Sequence, residues 1–413
     1  MKNKLLLFTL ALIVNISNAQ NNPGIYGDTN WFAGWTNFKP KATEYAESNQ
    51  TLSGEIKENK TLTKNNVYVL MGTVYVSNGA TLTIEPGTVI RGDYNTTGTL
   101  VVVKGSKIIA EGTATNPIVF TSNKVGSERK AGDWGGLIIY GNAPVNRIGG
   151  VIASIYDPNP QFNEFGGNNE SDDSGVLKYV RIEFAGKKID QKTMLNGLTL
   201  GAIGSKTKIE YVQVSFAKDD AVEVVGGNFD MNNIISFNNA DDDFDYSMGV
   251  QSTLSNSIAI RSPFISDNTR SRCFEIDSYD KVENYDPAKK KTVVKLNNVT
   301  MVSNEINDQG LVKEAISLKY DSFLEINNCV FAGFASCIAL DENYLYQYKF
   351  KQIKMVNSIS DSCKAIASDE ALADNYDASE YFKKTCKIST EGINKLFISN
   401  DIKLNPDFRL KKK

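Results

Sequence analysis

From Lys208 to Leu340 short apolar runs alternate with polar turns: "IEYVQVSFAKDDAVEV", "MNNIISFNNADDDFDY", "LSNSIAIRS…RCFEID", "LNNVTMVSN…EAISL" and "INNCVFAGFASCIAL". Within each run apolar residues recur with a period of two, which predicts strands and not helices. Aligning the first runs puts Val212, Ile234, Ile258, Val299 and Cys329 in one inward column. Aligning the second runs puts Val222, Phe244, Phe274, Ile316 and Ile338 in another. A strand–turn–strand unit recurring every ~20–40 residues is the mark of a solenoid. The predicted fold class is all-β: a right-handed parallel β-helix, its hand expected from the crossover rule.

The same alternation extends the solenoid. Rungs are expected from Val67, with "VYVLMGTVYVSNGATLTIEPGTVIRGD", to about Ser360. Residues 147–175 break the pattern with Gly, Pro, Asn and Asp, and read as a long surface loop of the kind that carries function. Residues 20–66 are polar apart from Trp31, Phe32, Trp35 and Phe38, an aromatic cluster expected to plug the bottom of the solenoid as an N-terminal cap. The other reading makes it a sugar-stacking platform. After residue 360, "DSCKAIASDEALADNYDASEYFKKTCK" reads as helix, with Asp361 or Ser362 as N-cap, giving a short helical C-terminal cap over 361–413.

Residues 1–19 carry Lys2 and Lys4, an apolar run Leu5 to Val14 and a small-residue end at Ala19, the pattern of a signal peptide. The apolar run is too short to span a bilayer, and no later stretch reads as a transmembrane segment. Export is therefore expected, to the periplasm, the cell surface or the medium.

Composition narrows the chemistry. The chain has 413 residues, net charge −3 and no histidine. That balance argues against nucleic acid as a partner. Without imidazole there is no Ser-His-Asp triad, no Cys-His dyad and no His-bound metal. Of the five cysteines, Cys329 sits in the inward column as a core thiol, while Cys363 and Cys386 flank the expected helix as candidates for a disulfide.

Several motifs in order, "GDWGGLIIYGNAPVN", "GVLKYVRIEFAG", "NGLTLGAIGS…IEYVQVSFAKDDAVEVVGG" and "DDDFDYSMG", resemble a family of exported right-handed parallel β-helix proteins of Bacteroidota-type bacteria. The resemblance spans roughly residues 30–280. It implies a pectin-lyase-like fold, export and, often, display at the cell surface. It implies no particular activity.

Candidate chemistry gathers in one place. Glu223, Asp245 and Glu275 each follow an inward residue of the second column, so they are expected to point outward, stacked at about 4.8 Å. The turns before them add Asp219, Asp220, Asp241, Asp242 and Asp243, and Asp277 lies just beyond. Two carboxylates ~5 Å apart repel by roughly 3 kcal/mol at an effective dielectric near 20. In a groove the ladder therefore needs a cation, an arginine or a shared proton. Arg272 is the natural arginine. Ca²⁺ is the metal that hard oxygen donors suit, with Asp241, Asp243 and Asp277 as candidate ligands.

Three functions compete for this ladder. A binding module would hold an extended polysaccharide or another cell-surface component, with Tyr246, Tyr344, Tyr346 and Tyr348 as aromatic contacts. A polysaccharide lyase or hydrolase would use Asp219, Asp220, Glu223, Asp241, Asp242, Asp245, Arg272 and Glu275. A protein-binding adhesin would use the flank and loops instead. The long flat flank suits polymers, and the expected reading is a monomeric, non-catalytic glycan binder. The Asn233, Asn298 and Asn328 column reads as a ladder that satisfies backbone groups.

Overall fold

The computed structural model describes residues 22–157, 159–267, 270–303, 311–340, 352–369, 376–377 and 379–412. Almost every strand in them belongs to one continuous 29-stranded sheet, parallel except where Ala365–Asp369 meets Tyr376–Asp377, that winds as a right-handed β-helix. Each rung crosses three faces. Residues 228–232, 251–255 and 293–297 stack in the first sheet, residues 234–237, 258–261 and 300–303 in the second, and residues 222–225, 244–247 and 274–276 in the third.

The second column of the sequence alignment is the register of the third sheet: Val222 pairs with Phe244, Phe244 with Phe274, Phe274 with Ile316 and Ile316 with Ile338. All five are buried in the central core. The first column holds for Val212 and Ile234 but slips at Ile258, which pairs with Ile235. Buried Ser257 takes the inward place, donated to by Ile234 N at 2.9 Å, and Ile258 faces out. A one-residue slip reverses every side chain on a strand.

The corner from first to second sheet turns on a single residue with positive φ in each rung: Tyr179, Tyr211, Asn233, Asn256, Asn298, Asn328 and Asn357. Asparagine tolerates this left-handed backbone better than other L residues. The two tyrosines that share it stack at 4.5 Å between ring centroids.

The N-terminal aromatics neither plug the solenoid nor form an open platform. Residues 22–46 run down the outside of the second sheet as a strap, bonded by Gly24 N to Asn328 O at 2.6 Å, Tyr26 N to Asn256 Oδ1 at 2.8 Å, Asn37 N to Gln213 Oε1 at 2.8 Å and Arg91 Nη1 to Ala46 O at 2.9 Å. Phe32 and Trp35 are buried there against Ile235, Phe237, Ile258 and Ile260, beside Leu396, Phe397 and Phe408 from the C-terminal end. The outward face of this sheet is apolar, so a covering layer is required.

Strands begin at Gln50–Ile56, ahead of Val67. At the other end, among the described residues of 361–387, helix is found only at Ser379–Phe382, because Ala365–Asp369 and Cys386–Ser389 are strands of the solenoid. All five cysteines are free, Cys363 and Cys386 included. No helix among the described residues is long and apolar enough to cross a membrane. The expected signal peptide lies outside the described residues.

Candidate functional site

The third sheet carries the acidic ladder. Its outward column runs Thr199, Glu223, Asp245, Glu275, Ser317, each the register partner of the next. The neighbouring residues Val222, Val224, Phe244, Tyr246, Phe274 and Ile276 point into the core, which fixes the carboxylates outside.

The corner before this sheet holds a second column. Asn196 Oδ1 accepts from Asp220 N at 3.2 Å, Asp220 Oδ1 from Asp242 N at 3.0 Å, and Asp242 Oδ1 from Arg272 N at 2.5 Å. Each side chain thus satisfies the backbone of the rung above, a structural duty for Asp220 and Asp242. Asp243 turns inward, fully buried, 3.1 Å from Arg261. Arg261 also donates to the carbonyls of Asp241 and Arg272.

Basic groups gather at the upper end. Arg272 reaches Glu275 at 2.5 Å and Glu314 at 3.2 Å, and Lys319 donates to the other oxygen of Glu275. The lower end is acidic. There one carboxylate oxygen from each of Asp219, Asp220 and Asp241 lies within 4.8 Å of the others, with Asp219 and Asp241 only half-buried.

Burial and mutual repulsion raise these acids. Asp219 is pushed up to about 8 by burial and then by the charges of Asp241 and Glu223. Asp241 rises to about 6 through burial and Asp267, against the pull of Arg261. Glu223 rises to about 7 through burial alone, held back by hydrogen bonds from Tyr156, Thr199 and Asn196. Burial also lifts Asp220, Asp242, Asp245 and Asp277 well above the carboxylate range, each helped by neighbouring acids. A cation at Asp219, Asp220 and Asp241 would relieve this repulsion, and three hard oxygen donors fit Ca²⁺.

The expected roles divide accordingly. Tyr246 is not a glycan contact: it is fully buried, its ring near parallel to those of Phe244 and Phe274. Tyr344, Tyr346 and Tyr348 lie outside the described residues. Asp241, Asp243 and Asp277 do not form one ligand set, since Asp243 faces Arg261 and Asp277 lies past the end of its strand. Asp219 and Asp220 join Asp241 instead.

Sequence reasoning missed Tyr156, Asn196, Glu314 and Lys319. Asn196 and Glu314 continue the corner column, so extending the alignment by a rung each way would have found them. Tyr156 has no such signal, because it lies in the irregular segment 147–175.

That segment and a second insertion wall the site. Both leave the corner between third and first sheets, after Tyr140 and after Ile276. They meet where Ile148 N donates to Asn284 O at 2.9 Å, Asp286 N to Asn146 O at 2.8 Å, and Arg147 lies 3.5 Å from Asp280. The first arm lays Tyr156 on the ladder, and beneath it Glu223, Ser247 and Met248 line a cavity of about 500 Å³.

A family model described as a pectate-lyase like beta helix domain matches residues 54–395. Neither the curated proteins nor the solved structures provide a match.

Proposed function

We propose that this chain, which belongs to the pectate-lyase-like β-helix domain family, is an exported envelope or secreted module that binds an extended glycan along the acidic face of its third sheet. The observation that carries the reading is the grouping of Asp219, Asp220 and Asp241 within 4.8 Å at the lower end of that face. Divalent-cation binding there turns a repulsive surface into one that accepts carboxylates or hydroxyls of a polymer. Arg272 and Lys319, at the upper end, hold Glu275 and keep that end near neutral. The acidic column runs across successive rungs, an extended row that suits a chain better than a small molecule. Export rests on the leader-like residues 1–19.

A second reading has its own observation. Asp219 and Asp241 interact closely enough to share a proton, and Asp219 stays protonated at neutral pH. Glycosidic bond cleavage uses a protonated carboxyl and an ionised one on either side of the bond, about 5–9 Å apart, so this pair would have to part around a substrate.

One experiment separates the two. The purified protein is incubated with polygalacturonate, alginate and xylan, with Ca²⁺ or with EDTA, then followed by affinity electrophoresis and by chromatography of the polymer. Ca²⁺-dependent retardation with intact polymer supports binding. New oligosaccharides, lost in Asp219→Asn, establish cleavage, and an ultraviolet-absorbing unsaturated end marks it as elimination by a lyase while its absence marks hydrolysis. Neither effect under any condition overturns both readings.

A further inference from the structure

The two arms that wall the acidic face also enclose a cleft on their other side. It opens toward the first sheet, has a volume of about 300 Å³ and lies across the arch from the ladder. Its floor is the pair of short turns at Gly227 and Gly249, both with positive φ. A Cβ at Gly227 would sit 2.5 Å from Ile203 O, and one at Gly249 would sit 2.6 Å from Lys290 O and 2.8 Å from Asn146 Cβ. Protein atoms pack directly against both glycines, so no side chain fits at either turn.

The walls are tied together. Lys290 Nζ reaches Glu170 Oε1 at 3.0 Å and Lys289 Nζ reaches Asn168 Oδ1 at 3.2 Å, so each bond joins one arm to the other. Asn228 and Gln251 are register partners in adjacent rungs and form a ledge of amides at the opening of the first sheet. Gln251 spends its Nε2 on the carbonyls of Gly249, Val250 and Lys291, which leaves Oε1 as an acceptor. Asn146 lines the same cleft. It is 1% exposed, its Nδ2 donates to Ser278 O at 2.6 Å, and its Oδ1 has no hydrogen-bond partner.

Asn146 Oδ1 is closed to solvent behind the cleft wall, so the acceptor that a ligand meets at the opening is Gln251 Oε1. Among the lining side chains Asn146, Asn168, Asn228 and Gln251 are uncharged amides, and Lys290 is paired with Glu170. Amides at rung spacing, with Gln251 Oε1 as acceptor and the Lys289 and Lys290 ammonium groups as donors, match a ring bearing several hydroxyls. Hydroxyls both donate and accept. At the lower end of ligand-site volumes, the cleft has room for about one such ring.

We infer that this cleft is a second glycan site, which takes one uncharged sugar residue by hydrogen bonds to its hydroxyls and works without a cation. It is independent of the acidic face. Occupation of both would place a polymer over the joined arms and grip it from either side.

The test is calorimetric titration of the full chain with xylohexaose, cellohexaose, mannohexaose and chitohexaose in EDTA. The expected result is saturable binding of at least one, unchanged in Asp219→Asn and weakened at least tenfold in the double variant Asn228→Ala, Lys289→Ala. Both replaced residues border the opening and are not core groups, and the variant's melting temperature checks its fold. Binding of none of the four overturns the inference, as does binding unaffected by the double variant or abolished by EDTA. A negative result here leaves the cation-dependent reading of the acidic face standing, because that is read with Ca²⁺ and anionic polymers.

Discussion

Tyr156 donates its phenolic hydrogen to Glu223 Oε1 at 2.7 Å across 67 residues of sequence, and this bond fastens the first arm to the acidic sheet. Asn196 Nδ2 holds the other oxygen at 2.8 Å. A hydrogen bond to a charged acceptor contributes about 1.5–3 kcal/mol. Tyr156→Phe should therefore lower the melting temperature, raise Glu223 further above 7 and expose residues 147–165 to protease. Limited proteolysis with mass mapping reads the last effect. Cleavage no faster than in the parent would show that the arm is held by its apolar contacts instead.

Stability should fall as pH rises. Asp219, Glu223 and Asp241 have folded-state values near 8, 7 and 6, all above those of free carboxyls. The folded chain therefore binds more protons than the unfolded one between the ordinary carboxylate range and about pH 8. The stabilisation is fully present below about pH 4, is lost progressively as pH rises, and is gone above about pH 8. Thermal melts in EDTA should give a higher midpoint at pH 5 than at pH 8.5.

Calcium should reverse that loss. At one hundred times its dissociation constant, an ion that binds only the folded state adds about 2.7 kcal/mol. The midpoint at pH 8.5 is expected to rise with Ca²⁺ in the parent and to stay put in Asp219→Asn, Asp241→Asn. An equal rise in both proteins would place the ion elsewhere.

Arg261→Ala should be among the most damaging single changes. It strands Asp243, fully buried, without its guanidinium, a situation that costs about 3–5 kcal/mol. Replacing both partners, as Arg261→Met with Asp243→Leu, should recover much of the loss. Urea unfolding of the parent and both variants tests the coupling, and a double variant as unstable as Arg261→Ala would refute it.

The corner asparagines predict a contrast. Asn328 sits at φ 55°, so Asn328→Gly should be near neutral, whereas Asn328→Val should cost roughly 1–2 kcal/mol or more. Melting temperatures that fail to separate the two would mean the corner relaxes out of the left-handed region.

Where sequence and structure diverge, the cause is identifiable. Ile258 reads as inward because hydrophobic matching passes over Ser257, yet the ladder places the serine inside, where its hydroxyl caps Ile234 N. The segment 361–387 is rich in Ala, Asp, Glu and Lys and reads as helix. Propensity is a weak prior, however, and Ala365–Asp369 finds a ready sheet edge at Ser336–Leu340. Tyr246 looks like a sugar contact by residue type alone. Its place two residues after Phe244, with strand period two, puts it in the core. The Trp31 cluster was legible as a cover. Which surface it covers was not.

The alternation of apolar and polar residues by itself determined the strands, their parallel stacking and the outward column Glu223, Asp245, Glu275, because each of these follows from a period of two repeated at similar intervals. Only the tertiary structure decided which carboxylates meet, which are neutralised and which stay open. Asp243 turns to Arg261, Glu275 is taken by Arg272 and Lys319, and Glu223 is covered by Tyr156. Those outcomes depend on insertions and on a strap that carry no period. Their positions come from contacts between residues far apart in sequence, which a local pattern does not encode.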